Sequence, residues 1–166
     1  MAYTISELNQ MSESAFVEAF GAVFEHTPAI ATQAWTKRPF TDVNNLHQKM
    51  VDVVNNMSSD EQQALICAHP DLGSKLKMAE ASINEQAGVG LDRLNPEEYE
   101  RLKLLNQSYK DKFGFPFIIA VKNHTKASIL EAFQCRLQNT LGAEKQRGLA
   151  EIAEIAKFRL TDLVLS

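Results

Sequence analysis

The chain has 166 residues, with 17 basic and 21 acidic side chains for a net charge of −4, and a length of that order favours one domain built around a sizeable core. Hydrophobic residues make up 45% and charged ones 23%, ordinary values for a globular protein. The slight acidity argues against a nucleic-acid partner, which needs a dense basic face, and no apolar run approaches the ~18 residues of a membrane span.

Residues Met1 to Glu7 lack the basic start and apolar stretch of a signal peptide, and Leu163-Val164-Leu165-Ser166 is not a peroxisomal signal, so a cytoplasmic protein is expected. The first element read from the pattern starts at the cap Ser12. Phe16, Phe20, Val23 and Phe24 then recur at helical spacing until Thr27-Pro28 ends it. A short helix follows from Ala29 to Trp35. Thr41-Asp42 caps a third, with Val43, Leu46, Met50, Val53, Val54 and Met57 on its apolar stripe. Ser58 or Ser59 caps a fourth, with Asp60 and Glu61 in its first turn, where the helix dipole favours acids.

Pro70 forbids simple continuation of that helix and pushes His69 towards extended backbone. A helix from Lys75 to Ala87 is terminated by Gly88-Val89-Gly90. Asn95-Pro96-Glu97-Glu98 combines a cap, a proline at the first helical position and acids in the first turn. The helix it starts runs through Leu102, Leu105 and Tyr109 to Gly114. Phe115 to Val121 has no second strand to pair with and reads as a buried extended segment. Thr125 opens a helix to about Thr140, and Gly142 separates it from a last helix ending near Leu165. The fold class is therefore all-α: a compact, single-domain bundle over residues 1–166 of about seven to nine helices.

His69 is the best acid/base candidate, because histidine titrates near neutral pH. Asp71 raises His-x-Asp metal binding, but His26, His47 and His124 are scattered and no second histidine sits at ligand spacing, so no metal is expected. Glu85 can orient or charge His69, or stand as a solvated helix residue. Gln86 offers a donor and an acceptor suited to an amide or urea. Gly88-x-Gly90 has no third glycine and no preceding strand, so it is not a dinucleotide fingerprint. Cys67 and Cys135 form no Cys-x-x-Cys pair and read as two buried thiols, Cys67 as a wall residue. Arg159 falls within the stripe of Leu149, Ile152, Ala156, Leu160 and Leu163. An unpaired core arginine is costly, so it pairs with a carboxylate, faces a polar cavity or snorkels. Arg136, beside Ile129, Phe133 and Leu137, favours the structural alternative more strongly.

Read together, His69-Pro70-Asp71-Leu72-Gly73, Ser82 with Glu85-Gln86 and Gly90-Leu91, Asn106-x-x-Tyr109 and Lys112-Phe113-Gly114-Phe115-Pro116-Phe117 form an ordered set of landmarks. With Arg136-Leu137-x-Asn139, Glu144 and Arg159-Leu160, they resemble the 2-oxo-4-hydroxy-4-carboxy-5-ureidoimidazoline (OHCU) decarboxylase family over essentially the whole chain. Gly88-Val89-Gly90 departs mildly from the commoner alanine-glycine step. The resemblance implies an all-helical homodimer without cofactor that acts on OHCU to release CO2 and (S)-allantoin. It implies that His69, Glu85 and Arg159 are catalytic in one site. It implies that Pro70, Ser82, Ile83, Asn84, Glu85, Gln86, Phe117, Ile118, Ile119, Ala120 and Val121 bind substrate. Two rival readings predict other outcomes. A helical interaction module would leave His69, Glu85 and Arg159 as structural polar residues, and a hydrolase using His69 and Asp71 would carry metal.

Overall fold

The computed structural model describes residues 2–73 and 80–165, with the side chains of residues 80–82 also outside the description. The helices are α1 Ile5–Gln10, α2 Glu13–Phe20, α3 Ala29–Trp35, α4 Val43–Asn55, α5 Ser59–Cys67, α6 Glu80–Gly88, α7 Pro96–Phe113, α8 Lys126–Arg136 and α9 Leu141–Leu163, with a 3-10 turn at Val121–Asn123. Among the described residues there is no β-sheet, only an isolated bridge between Tyr3 and Val164. The all-α expectation holds. The start of the helix expected from Lys75 lies outside the described residues.

Local chemistry accounts for most boundaries. Asp42 accepts from Asn45 N at 2.7 Å to start α4, and Ser58 exchanges bonds with Glu61 to start α5. Asn95 and Glu98 do the same for α7, with Pro96 in the first turn. Four features differ from the sequence reading. α1 was not anticipated, although Thr4 and Glu7 form a capping box. α2 stops at Phe20, and Val23 and Phe24 are buried from a turn rather than a helix face. α8 stops at Arg136. Gly142 lies inside α9, whose start is set by Thr140, whose hydroxyl accepts from Ala143 N at 3.2 Å.

The chain divides into two packed units, Met1–Ala68 with Ala153–Ser166, and His69–Ile152. In the first, Phe16 stacks on Phe20 and Phe40 with ring centroids 4.9 and 5.9 Å apart, over Leu8, Ile30, Leu46, Met50 and Leu160. Asn9 holds the turn before α4 from both sides. Its amide nitrogen donates to Phe40 O at 2.9 Å and its oxygen accepts from Phe40 N at 2.7 Å. In the second unit, Tyr109 is wholly buried among Phe113, Phe115, Phe117 and Phe133, and Phe117 stacks on Phe133 at 3.7 Å. Both cysteines are exposed, against the expectation of buried thiols, because Cys67 ends α5 on its outer side and Cys135 faces outward in the last turn of α8.

Gly114 (φ +79°) ends α7 in the left-handed region, where a Cβ would meet nothing within 4 Å. Gly73 (φ +69°) is also left-handed, but a Cβ there would approach Leu102 Cδ2 to 2.7 Å and Leu94 Cδ1 to 3.1 Å. Gly114→Ala should therefore cost about 1–2 kcal/mol of backbone strain in denaturant unfolding. Gly73→Ala should cost clearly more, since strain and a steric clash add there.

Candidate active site

The His69 loop is held from three directions. α5 ends at Cys67, and His69 follows its C-cap Ala68, so the histidine stands at a helix end as Pro70 requires. Beyond it, Gly73 N donates to Gln86 Oε1 at 2.9 Å. Leu72 O accepts from Asn106 Nδ2 at 3.0 Å, and Asp71 pairs with Lys110 Nζ at 2.8 Å. One helix, α7, thus supplies two of the tethers, one turn apart, and α6 the third. Gln86 and Asn106 are buried, so the bonds act away from competing water. His69 itself is only 9% exposed. The residue is therefore enclosed at the helix end.

The predicted substrate-binding residues beyond Pro70 fall on two segments of the same unit. On α6, Ile83 and Asn84 are exposed, Glu85 is half-buried and Gln86 is buried, as successive residues around one helical turn must be. The Ser82 side chain lies outside the described residues. α6 packs against the 3-10 turn that ends the second segment, Phe117–Val121. That segment is buried throughout and runs without helix or strand partners, as the sequence implied.

A backbone of that kind needs side chains to satisfy it. Arg136 Nη1 donates to Ile118 O at 2.7 Å, and Ala120 N donates to Glu151 Oε1 at 3.0 Å. The Arg136 guanidinium also lies 4.2 Å from the Phe117 ring centroid. Arg136 is in turn fixed by Glu144. One Glu144 oxygen accepts from Arg136 Nε at 2.8 Å and from Tyr109 OH at 2.6 Å, the other from Asn139 Nδ2 at 2.8 Å. Burial works to raise the Glu144 carboxyl, but the hydrogen bonds from Asn139, Tyr109 and Arg136 outweigh it and hold the group below its ordinary range. Burial and the bond to Glu144 push the Tyr109 phenol well up. Arg136 is thus structural, as its place beside an apolar stripe implied.

Arg159 belongs to the other unit. It is 5% exposed, and its Nη1 lies 3.2 Å from Glu25 Oε2, 3.2 Å from Val23 O and 3.3 Å from Ala22 O. Of the alternatives open to a core arginine, the carboxylate pair is therefore realised. Glu25 and Glu151 went unnoticed in the sequence. Glu25 sits in a turn with no periodic pattern, whereas Glu151 could have been found as an acid beside the apolar stripe of α9.

The carboxylate network sets a pH dependence. A lowered folded-state value for Glu144 means that its stabilisation is complete above the ordinary carboxyl value of 4.5 and is lost as pH falls through the lower folded one. Tyr109 runs the other way: its contribution is intact below the ordinary phenol value of 10.0 and fades as pH rises beyond it. Glu144→Ala should lose about 3–5 kcal/mol near neutral pH, the usual cost of stranding a buried charge. Its melting temperature should fall less steeply with acid than that of the parent protein, which a melt series from pH 3 to pH 7 measures.

The landmarks that suggested a family can now be set against known proteins. The OHCU decarboxylase family model matches residues 9–161. The 2-oxo-4-hydroxy-4-carboxy-5-ureidoimidazoline decarboxylase of Halalkalicoccus jeotgali is 41% identical over 162 residues, covering 98% of this chain and 92% of that protein. The uric acid degradation bifunctional protein PucL of Bacillus subtilis is also 41% identical over 162 residues, but there the match spans 33% of the longer protein. The crystal structure of an (S)-allantoin synthase superposes with a TM-score of 0.79 at 29% identity, over 96% of this chain and 54% of that one. Agreement of this extent in sequence and in backbone places the chain in the OHCU decarboxylase family.

Proposed function

We propose that this chain decarboxylates OHCU to (S)-allantoin in urate breakdown, without metal or organic cofactor. The observation that carries the reading is the His69 loop, tied down by Gln86, Asn106 and Lys110 in a chain whose family is OHCU decarboxylase. A titratable ring at a helix end, on a loop tethered at three successive residues, is what a positioned acid/base requires.

The chemistry needs little more than position and proton control. The bond from the ring carbon to its carboxylate breaks, CO2 leaves, and the electron pair moves into the adjacent ring C=N. The hydroxyl on the first carbon gives up its proton and becomes a carbonyl, and a proton is delivered to the neighbouring carbon. Delivery from one face yields one enantiomer. In this reading His69 moves a proton at the hydroxyl or carboxylate, with Glu85 as its charged companion. Arg159 is the third catalytic group by resemblance, as a donor of charge-assisted hydrogen bonds. Pro70, Ser82 to Gln86 and Phe117 to Val121 bind the substrate. Gln86, whose Oε1 accepts from Gly73 N, or Glu85 meets the ureido arm. The reading also includes a homodimer in the cytoplasm, which the resemblance supports. No helix among the described residues is long and apolar enough to cross a membrane.

The test generates OHCU in situ from urate and follows optically active allantoin. His69→Asn should lower the rate by roughly two orders of magnitude or more, the usual share of a positioned acid/base. Because the ring is enclosed, its unfolding free energy should drop by about 1–2 kcal/mol, leaving the variant folded at assay temperature. The parent protein should keep full activity after exhaustive chelation and with no added nucleotide or thiamine. Near-parental activity in the folded variant, or activity lost with a metal and restored by it, would overturn the proposal.

A further inference from the structure

Glu151 has no part in the mechanism above, yet the fold keeps its carboxylate buried. It lies on α9, beside the stripe formed by Leu149, Ile152, Ile155 and Ala156, and is 7% exposed. Taking a carboxylate out of water is costly unless its partners require it there. One oxygen accepts from Ala120 N at 3.0 Å and the other lies 3.3 Å from Arg147 Nη2, on a side chain that is 54% exposed. The surface half of this arrangement contributes little, as exposed ion pairs do. The inner half, a charge-assisted bond to the main chain of an irregular segment, is the stronger.

That segment is Phe117–Val121, and its other tether is Arg136 on Ile118 O. The tethers grip the residues on either side of Ile119. Ala120 O accepts from Asn123 N at 3.0 Å, and Val121 O from His124 N at 3.0 Å, so the turn that follows closes on itself. Between the tethers, the N–H and C=O of Ile119 make no hydrogen bond with any described residue, although the residue is only 4% exposed. A buried main-chain donor and acceptor left side by side match the N–H and C=O of a cyclic amide or urea, the chemistry of an imidazoline ring.

We infer that Glu151 is a positioning residue of the site. By holding Ala120 N, it sets the backbone of Phe117–Val121 so that the Ile119 N–H and C=O are presented to the ring amide of the substrate. The inference rests on the proposed decarboxylation. It requires a hydrogen-bond acceptor at Glu151, not a charge.

The experiment compares steady-state kinetics on OHCU for the parent, Glu151→Gln, Glu151→Met and Glu151→Asp, each beside a thermal melt. Glutamine keeps an acceptor at the same reach and should leave KM within about twofold. Methionine keeps the bulk without the acceptor, and KM should rise about tenfold or more, the scale of a buried N–H left without its acceptor. Its kcat should change much less, because ring binding is common to ground state and transition state. Aspartate keeps the charge but draws it back by one methylene, and its KM should rise severalfold. It decides the matter if the methionine variant does not fold. A parent protein inactive on OHCU would remove the functional reading and this inference with it. An active parent with unchanged KM in the methionine variant, or in the aspartate variant where methionine fails to fold, would overturn the positioning role alone. So would loss of KM in the glutamine variant equal to that in the methionine variant.

Discussion

The carboxylate of Glu144 is the constraint on which the His69–Ile152 unit depends. It is wholly buried and accepts from Tyr109, Arg136 and Asn139. Through Tyr109 it fixes the centre of an aromatic cluster on α7, and through Arg136 it fixes a cation that in turn holds Ile118 O. A buried charge with several charge-assisted partners is stable only as a complete set, since removal of any one strands the others. Such a network specifies a single arrangement where apolar packing alone would tolerate several. Here it lets an irregular stretch of backbone, Phe117–Val121, remain buried without a sheet.

The loop at His69 is organised by the same device with weaker parts. Its tethers are one half-exposed ion pair and two hydrogen bonds with neutral side-chain amides, Asn106 donating and Gln86 accepting. The left-handed Gly73 lets the chain turn against Leu102 while offering its N–H to Gln86. Each tether alone is modest, of order 1 kcal/mol. Acting on consecutive residues, they restrict the backbone that carries the imidazole, and restriction of a reacting group is itself a source of rate. The helix termini contribute as well, since both His69 and Phe117–Val121 lie just past the C-terminal ends of helices, where the chain is released from periodic bonding.

Arg159 shows how a feature legible in the sequence can still be open in meaning. Its position in an apolar stripe left a carboxylate pair, a polar cavity or a snorkelling stem as alternatives. The pair exists, with Glu25. The guanidinium carries five N–H donors in a fixed fork, and its Nη1 meets Glu25 together with the carbonyls of Val23 and Ala22.

What the sequence determined by itself was local. The caps at Ser12, Asp42, Ser58, Asn95 and Thr125 and the prolines at Pro70 and Pro96 punctuate the helices through contacts within three or four residues, and these follow from residue type and spacing. The burial of Phe117–Val121 and the helix break at His69 were legible for the same reason. α1 was overlooked because six residues carry too little periodicity, although its Thr4–Glu7 box was there to read. Tertiary structure alone decided the partners: Glu25 with Arg159, Glu151 with Ala120, and Asn106 with Leu72 are separated by 134, 31 and 34 residues. No helical or strand period encodes which buried acid meets which cation. That choice is made by packing, because only the assembled core removes the water that would otherwise satisfy each of these groups equally well.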